Sequence, residues 1–405
     1  MAKGECMSRR FQLAAAVMAF GLVAAACGGG GEEDPGAGGS DEPKDCTWTI
    51  ATMGALSGDY ASVGQPIADG VEYAVNAANE SGDVACTLEF VSEDSQGDPN
   101  QAPALAQKIV SNETVVFCAC PYFSGETLAT GKIFGKAGIA ISGTGTNETI
   151  DEQGFETWFR AVAPDNIQAE VAAAYLKDGL GAKTVAVIHD NQDYSKGLAD
   201  GVQKELGSLA QGPFIISPEE TDYSAVVSQV ADANPDAIFY GGYTPQAGPL
   251  AKQLADAGVD ATFMTDDGSK DPTFGDTAKD AAQGALASCP CVDPLKVEGA
   301  EDYVSAMQEA YGENAPGTFA ADMTDVTNLA IQALGDLTGD EPIEEVRAAI
   351  VDFFDSAEGV AGVAKSYGWN DDGEFEGGPD DVWIYEWDTK AKNFVSLGAA
   401  SELLK

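Results

Sequence analysis

Hydrophobic residues in the body of this chain form short, nearly continuous runs, separated by longer stretches in which they recur every three or four positions. The continuous runs have the length and β-branched content of buried strands: Thr47 to Met53, Leu88 to Val91, Val115 to Cys118, Ile139 to Ser142, Thr184 to His189, Phe214 to Ser217, Ala237 to Tyr240 and Thr262 to Met264. Between them the period is helical. Ile67, Val71, Ala74, Val75 and Ala78 share one helix face behind Pro66, which is expected in a first turn, and Leu198, Val202 and Leu206 follow Tyr194 in the same way. Strand and helix alternate twice over, with FRAVAPDNIQ at 159–168 reading as a connector. The fold class expected is therefore α/β: two doubly wound, Rossmann-like lobes joined by a three-strand hinge, with a ligand held between the carboxyl ends of the strands.

The lobes are expected to be 45–163 with 289–380, and 164–288 with 381–405. Polar residues collect where these strands end, in GALSGDYASVG, CPYFSGET, SGTGTNET, HDNQDY, GGYTPQ and TDDGSKD. HDNQDY carries the chain's one histidine, His189, and a tyrosine, Tyr194, that reads as exposed. A histidine at a strand end is expected to be packed or hydrogen-bonded rather than a ligand contact.

The N-terminal region follows other rules. Lys3, Arg9 and Arg10 precede a 16-residue apolar run, Phe11 to Ala26, which ends in Ala24, Ala25 and Ala26 before Cys27. The run is short for a membrane span, and its basic head and small-residue exit predict a cleaved signal peptide over 1–26. The cysteine after small residues resembles the bacterial lipobox, which implies a lipid on Cys27 and attachment of the protein to the outer face of a membrane. Residues 27–45 then read as a flexible glycine-rich and acidic linker, about 60 Å long when fully stretched.

Export changes the reading of the remaining cysteines, because an oxidising compartment turns an even set into disulfides. Cys46 and Cys86 open two strands in the same register and are expected to pair. Cys118, Cys120, Cys289 and Cys291 allow two local bridges, two cross-bridges or a thiolate metal site; cross-bridges near the hinge are preferred and no metal is expected.

Among 405 residues, 66 acidic side chains face 21 basic ones, a formal net charge of −45. Such a field repels nucleic acid, and no nucleic-acid partner is expected. The acidity itself is read as a solvated surface. A single histidine, with no G-x-S-x-G elbow and no phosphate-binding loop, argues against an enzyme, and no cofactor is expected. WNDDGEFEGG, from Trp369, lacks the full spacing of a calcium loop and reads as a polar turn.

GALSGDYASVG, ISGTGTNET, VIHDNQDYSKGLADGV, FYGGYTPQAG, FMTDDG and YGWNDDGEFEGG, in that order, resemble the leucine/isoleucine/valine-binding proteins of branched-chain amino acid ABC transporters, which are type I extracytoplasmic solute-binding proteins. The resemblance covers about residues 47 to 400. It implies a lipoprotein that binds an amino acid, branched-chain or aliphatic, and hands it to the permease subunits of an importer. Ser124 and the loop with Thr144 and Thr146 match positions that hold the ligand carboxylate. Tyr194 and Tyr243 match tyrosines that close from the second lobe, and Asp267 matches a carboxylate that pairs with the ammonium. Two positions depart from the pattern: Asp267 stands where a glutamate is common, and Val63 where an aromatic is common. A larger or more polar amino acid, or an amide- or urea-like solute, thus stays open as the ligand, as does a ligand-sensing ectodomain that partners a signalling protein.

Overall fold

The computed structural model describes residues 45–404, and these form one compact unit. The signal peptide expected over 1–26, the lipid site Cys27 and all but the last residue of the linker lie outside the described residues.

Parallel strands need long crossovers, and helices supply them. The first half runs β1 (Thr47–Gly54), α1 (Ala61–Ser81), β2 (Thr87–Asp94), α2 (Ala102–Val110), β3 (Val115–Ala119), α3 (Ser124–Lys136), β4 (Ala140–Gly143) and β5 (Trp158–Arg160). Its five strands form a parallel sheet in the order β2-β1-β3-β4-β5. The second half runs α4 (Asp165–Ala174), β6 (Val185–His189), α5 (Asp193–Leu206), β7 (Ala210–Ile215), α6 (Ser224–Ala233), β8 (Ala237–Gly241), α7 (Thr244–Asp256), β9 (Thr262–Thr265), α8 (Thr273–Ala278) and β10 (Leu286–Cys289).

The chain then returns to the first sheet with α9 (Glu301–Tyr311), α10 (Ala320–Leu334) and α11 (Ile343–Ser356). Helix α10 lies against α1, where a Cβ on Gly70 would stand 2.2 Å from Ala320 O, so that glycine sets how closely the helices approach. On α11, Arg347 donates from Nε to Val115 O at 2.9 Å and fixes the helix to β3. The short pair β11 (Val360–Ala361) and β12 (Ser366–Tyr367) follows, and the chain ends on the second sheet with antiparallel β13 (Trp383–Asp388) and β14 (Asn393–Ala399) and a last turn, α12 (Ala400–Leu403). The second sheet has the order β14-β13-β10-β9-β8-β6-β7. Two α/β lobes result, with strands β3, β6 and β8 buried throughout.

Each strand expected from the apolar runs is present. The run placed at 214–217 is shifted, as β7 spans 210–215 with Pro213 inside it; β7 is an edge strand, where a missing N–H costs no ladder bond. Helix α1 starts five residues ahead of Pro66, so that proline sits in its interior rather than its first turn. Part of the expected connector is strand β5, and α4 begins at Asp165.

Cys46 and Cys86 form a disulfide. They immediately precede the in-register pair Thr47 and Thr87, which brings their Cα atoms to 4.9 Å. The preferred cross-bridges are not formed. Cys118 pairs with Cys120 and Cys289 with Cys291. The reason is location: Cys118 and Cys120 belong to one buried apolar cluster, on a face of the first sheet, and Cys289 and Cys291 to a different one.

Candidate functional site

The carboxyl ends of β3 and β4 face those of β6, β8 and β9 across the cleft, and the six singled-out side chains come from the segments that leave these strands. Ser124 is the first residue of α3. Its Oγ accepts the N–H of Asn147 at 3.1 Å, tying the helix start to the loop after β4. In that loop Thr144 donates to Tyr122 O at 2.8 Å, and Thr146 O accepts from Asp165 N at 2.8 Å. Helix α3 itself is closed by Glu126, whose carboxylate accepts from Phe123 N and Ser95 Oγ.

From the other lobe, Tyr194 in the first turn of α5 donates to Asp267 Oδ1 at 2.8 Å. Gln168 Nε2 donates to the same oxygen at 2.7 Å and also reaches Ser288. Burial in the closed cleft raises the carboxyl pKa of Asp267 and of adjacent Asp266, and it raises that of the Tyr194 hydroxyl, which stays a neutral donor. Tyr243, just before α7, packs its ring against Tyr60 and Phe123 of the first lobe, each 5.3 Å away, and against Tyr194 at 5.2 Å.

All six residues, Ser124, Thr144, Thr146, Tyr194, Tyr243 and Asp267, line one cavity between the lobes, together with Val63, Ile67, Phe123 and Phe319. The lobes are closed on it. Asn147 Nδ2 donates to Asp193 O at 2.6 Å, Ser62 Oγ to Asp271 at 3.1 Å, and Lys270 Nζ to Thr318 Oγ1 at 3.2 Å. This closure explains why Tyr194, read as exposed, is 3% exposed. The remaining space is about 20 Å³, room for roughly one water.

His189 is absent from this lining. It is buried, its Nδ1 accepts Asn191 N at 3.0 Å, and burial lowers its pKa, as suits a structural residue.

The residues missed in the sequence are those that hold the site in place. Arg160, fully buried at the end of β5, forks onto Glu374 at 2.6 and 2.7 Å and donates to the carbonyls of Gly145 and Asn147. The loop with Thr144 and Thr146 thus has two of its carbonyls, those of Gly145 and Asn147, turned toward Arg160. Glu374 comes from the late polar turn, where Trp369 Nε1 also donates to Arg160 O at 2.7 Å. One signal was available: after residue 10 the sequence holds only Arg160 and Arg347, and both are buried.

Residues 47–392 match the periplasmic binding protein family. The leucine-, isoleucine-, valine-, threonine-, and alanine-binding protein of Pseudomonas aeruginosa is 28% identical over 84% of this chain and 90% of its own length. An amino acid binding protein of the same organism is 32% identical, over 54% of this chain and 60% of its own length. Among solved structures, the branched-chain amino acid transporter substrate binding protein LivJ of Streptococcus pneumoniae, in complex with isoleucine, superposes with a TM-score of 0.76 at 22% identity, covering 86% of this chain and 99% of that one. This chain belongs to the periplasmic binding protein family, and its work is to bind a solute rather than to transform one.

Proposed function

We propose that the protein captures an amino acid with an aliphatic side chain between its lobes and that the closed form is what the permease of an ABC importer recognises. Lobes of 45–163 with 289–380 and 164–288 with 381–405 fit this reading, supported by the return of α9 to α11 to the first sheet and of β13 and β14 to the second. The observation that carries it is the separation of chemistry across the cavity. Hydroxyls at a helix start, Ser124, and in the loop after β4, Thr144 and Thr146, lie on one lobe, and a carboxylate, Asp267, lies on the other.

A ligand carboxylate suits the first group, because helix N-terminal amides and hydroxyls hold an anion without a full cation. An ammonium suits Asp267, whose Oδ1 already takes two donors and whose other oxygen is left for the ligand. Val63, Ile67 and Phe319 supply an apolar wall for the side chain. A lipid on Cys27 would keep the receptor beside its permease, in line with the small-residue exit before that cysteine.

The test is a thermal-shift screen of amino acids, small amides and urea, followed by calorimetry on the best binder. Asp267→Ala is expected to weaken an amino acid by about 2 to 5 kcal/mol, because it strands the ammonium. Undiminished affinity for a zwitterion in that variant defeats the assignment, and shifts with amides alone move the ligand class to small neutral solutes.

A further inference from the structure

A second, larger cavity lies beside the first. The partition between them is thin: Phe319 and Gly268 face the ligand cavity, while their neighbours Thr318 and Lys270 face the other. The second cavity measures about 600 Å³, within the range of sites for small organic molecules. Both lobes build it. Pro66 and Pro316 come from the first lobe and Pro272, Tyr385 and Val395 from the second, so much of the wall is rigid and apolar. Of the five large hydrophobic side chains exposed among the described residues, two, Leu295 at 67% and Val395 at 39%, line this cavity.

One cation stands in it. Lys270 Nζ lies 4.2 Å over the Tyr385 ring and has a single hydrogen bond, to Thr318 Oγ1. An ammonium has three donors, so two are left. No carboxylate oxygen among the described residues lies within 4.0 Å of it, although the chain carries three acidic side chains for each basic one. Lys108 and Lys365, by contrast, contact Glu93 and Asp322 at 2.7 Å. Four carboxylates act on it from farther away, those of Asp293, Asp322, Asp267 and Asp271, and each has other hydrogen-bond partners: Asp293 accepts from Leu295 N and Ser396, Asp322 from Lys365, Asp267 from Tyr194 and Gln168, and Asp271 from Ser62, Thr244 and Thr273. Burial pushes the Lys270 ammonium down to about 8, so it is charged at neutral pH at the cost of lost solvation.

The geometry points to a second ligand site in this cavity, for a small organic monocarboxylate whose carboxylate sits on Lys270 and whose apolar body packs against Tyr385, Pro66, Pro316 and Leu295. Four carboxylates, those of Asp69, Asp271, Asp293 and Glu313, also line the cavity, so acidic groups outnumber the one lysine and disfavour a second negative charge, which limits the class to monoanions. An occupant touches both lobes and therefore favours the closed form, which couples the two cavities through the partition. This site goes beyond the amino acid reading and stands without it.

The experiment is calorimetry on the full chain with hexanoate and 4-phenylbutyrate, and with 1-hexanol as the uncharged control. Binding of one carboxylate per chain is expected, at least about 10-fold tighter than the alcohol, a difference of about 1.4 kcal/mol. Lys270→Gln keeps a donor for Thr318 but removes the charge, and should lose that advantage. Asp267→Ala should retain the carboxylate, which separates this site from the amino acid cavity. Equal binding of acid and alcohol, no binding of either acid, unchanged carboxylate affinity in Lys270→Gln, or its loss in Asp267→Ala overturns the proposal.

Discussion

Replacing Glu374 with alanine tests whether the late polar turn is a structural anchor of the site. The variant leaves Arg160, with no exposed side-chain surface, holding two donors, Nε and one Nη, that no longer have a carboxylate. Removing one partner of a buried ion pair costs about 3 to 5 kcal/mol. Glu374 keeps 13% of its side chain in solvent, so water can enter the vacated space, and the lower end, about 3 kcal/mol, is the working figure. The carbonyls of Gly145 and Asn147 remain as partners, which is why complete unfolding is not expected. Guanidinium unfolding followed by tryptophan fluorescence reads the loss as a lowered midpoint. Asp372→Asn, an exposed neighbour on the same turn, serves as the control and should stay within about 0.5 kcal/mol of the parent. A Glu374→Ala midpoint as close to the parent as the control's would refute the anchoring argument.

Other consequences are measurable on the same protein. Converting Cys46 and Cys86, 40 positions apart, to serine should cost about 4 kcal/mol by loop entropy, against about 1.6 kcal/mol for the Cys118 and Cys120 pair, read as midpoint shifts in denaturant. Tyr194→Phe removes one of two donors to Asp267 and should weaken the best-binding amino acid by about 1 kcal/mol in calorimetry; no change would detach Tyr194 from the site. Burial raises Asp165 to about 8 and Glu126 to about 7, so the folded chain keeps protons that the unfolded chain releases near its ordinary carboxyl pKa. Their contribution is full below about pH 4 and is lost as pH rises toward 8, and Asp165→Asn should flatten that fall; an unchanged slope between pH 4 and 8 would count against it.

The parts of this fold that a sequence can show are those set by local pattern. Buried parallel strands are continuous apolar runs, and eight of them could be located before any contact was known. Strand ends marked the segments where an α/β sheet places its ligands, but the six cavity residues themselves were named by their match to site positions of the family the sequence resembles. What stayed hidden depends on partners distant in sequence. Strand β5 is three residues long, and β13 and β14 mix buried with half-buried and exposed positions because the sheet edge there is antiparallel and partly solvated. Tyr194 reads as exposed because its cover arrives from the other lobe. Arg160 and Glu374 are 214 residues apart, and nothing local in either announces the other. The cysteine pairing failed on the same ground: spacing could not tell that each close pair lies in its own core.

The sulfur bridge at the start of the body also decides where a pull would go. Tension entering the chain ahead of Cys46 crosses directly to Cys86 and leaves the intervening residues slack. Those residues include β1 and the whole of α1, with Val63 and Ile67 on the cavity wall. A receptor held by its N-terminal end can therefore be tugged, by flow or by a moving membrane, without the load passing along the helix that shapes its ligand cavity.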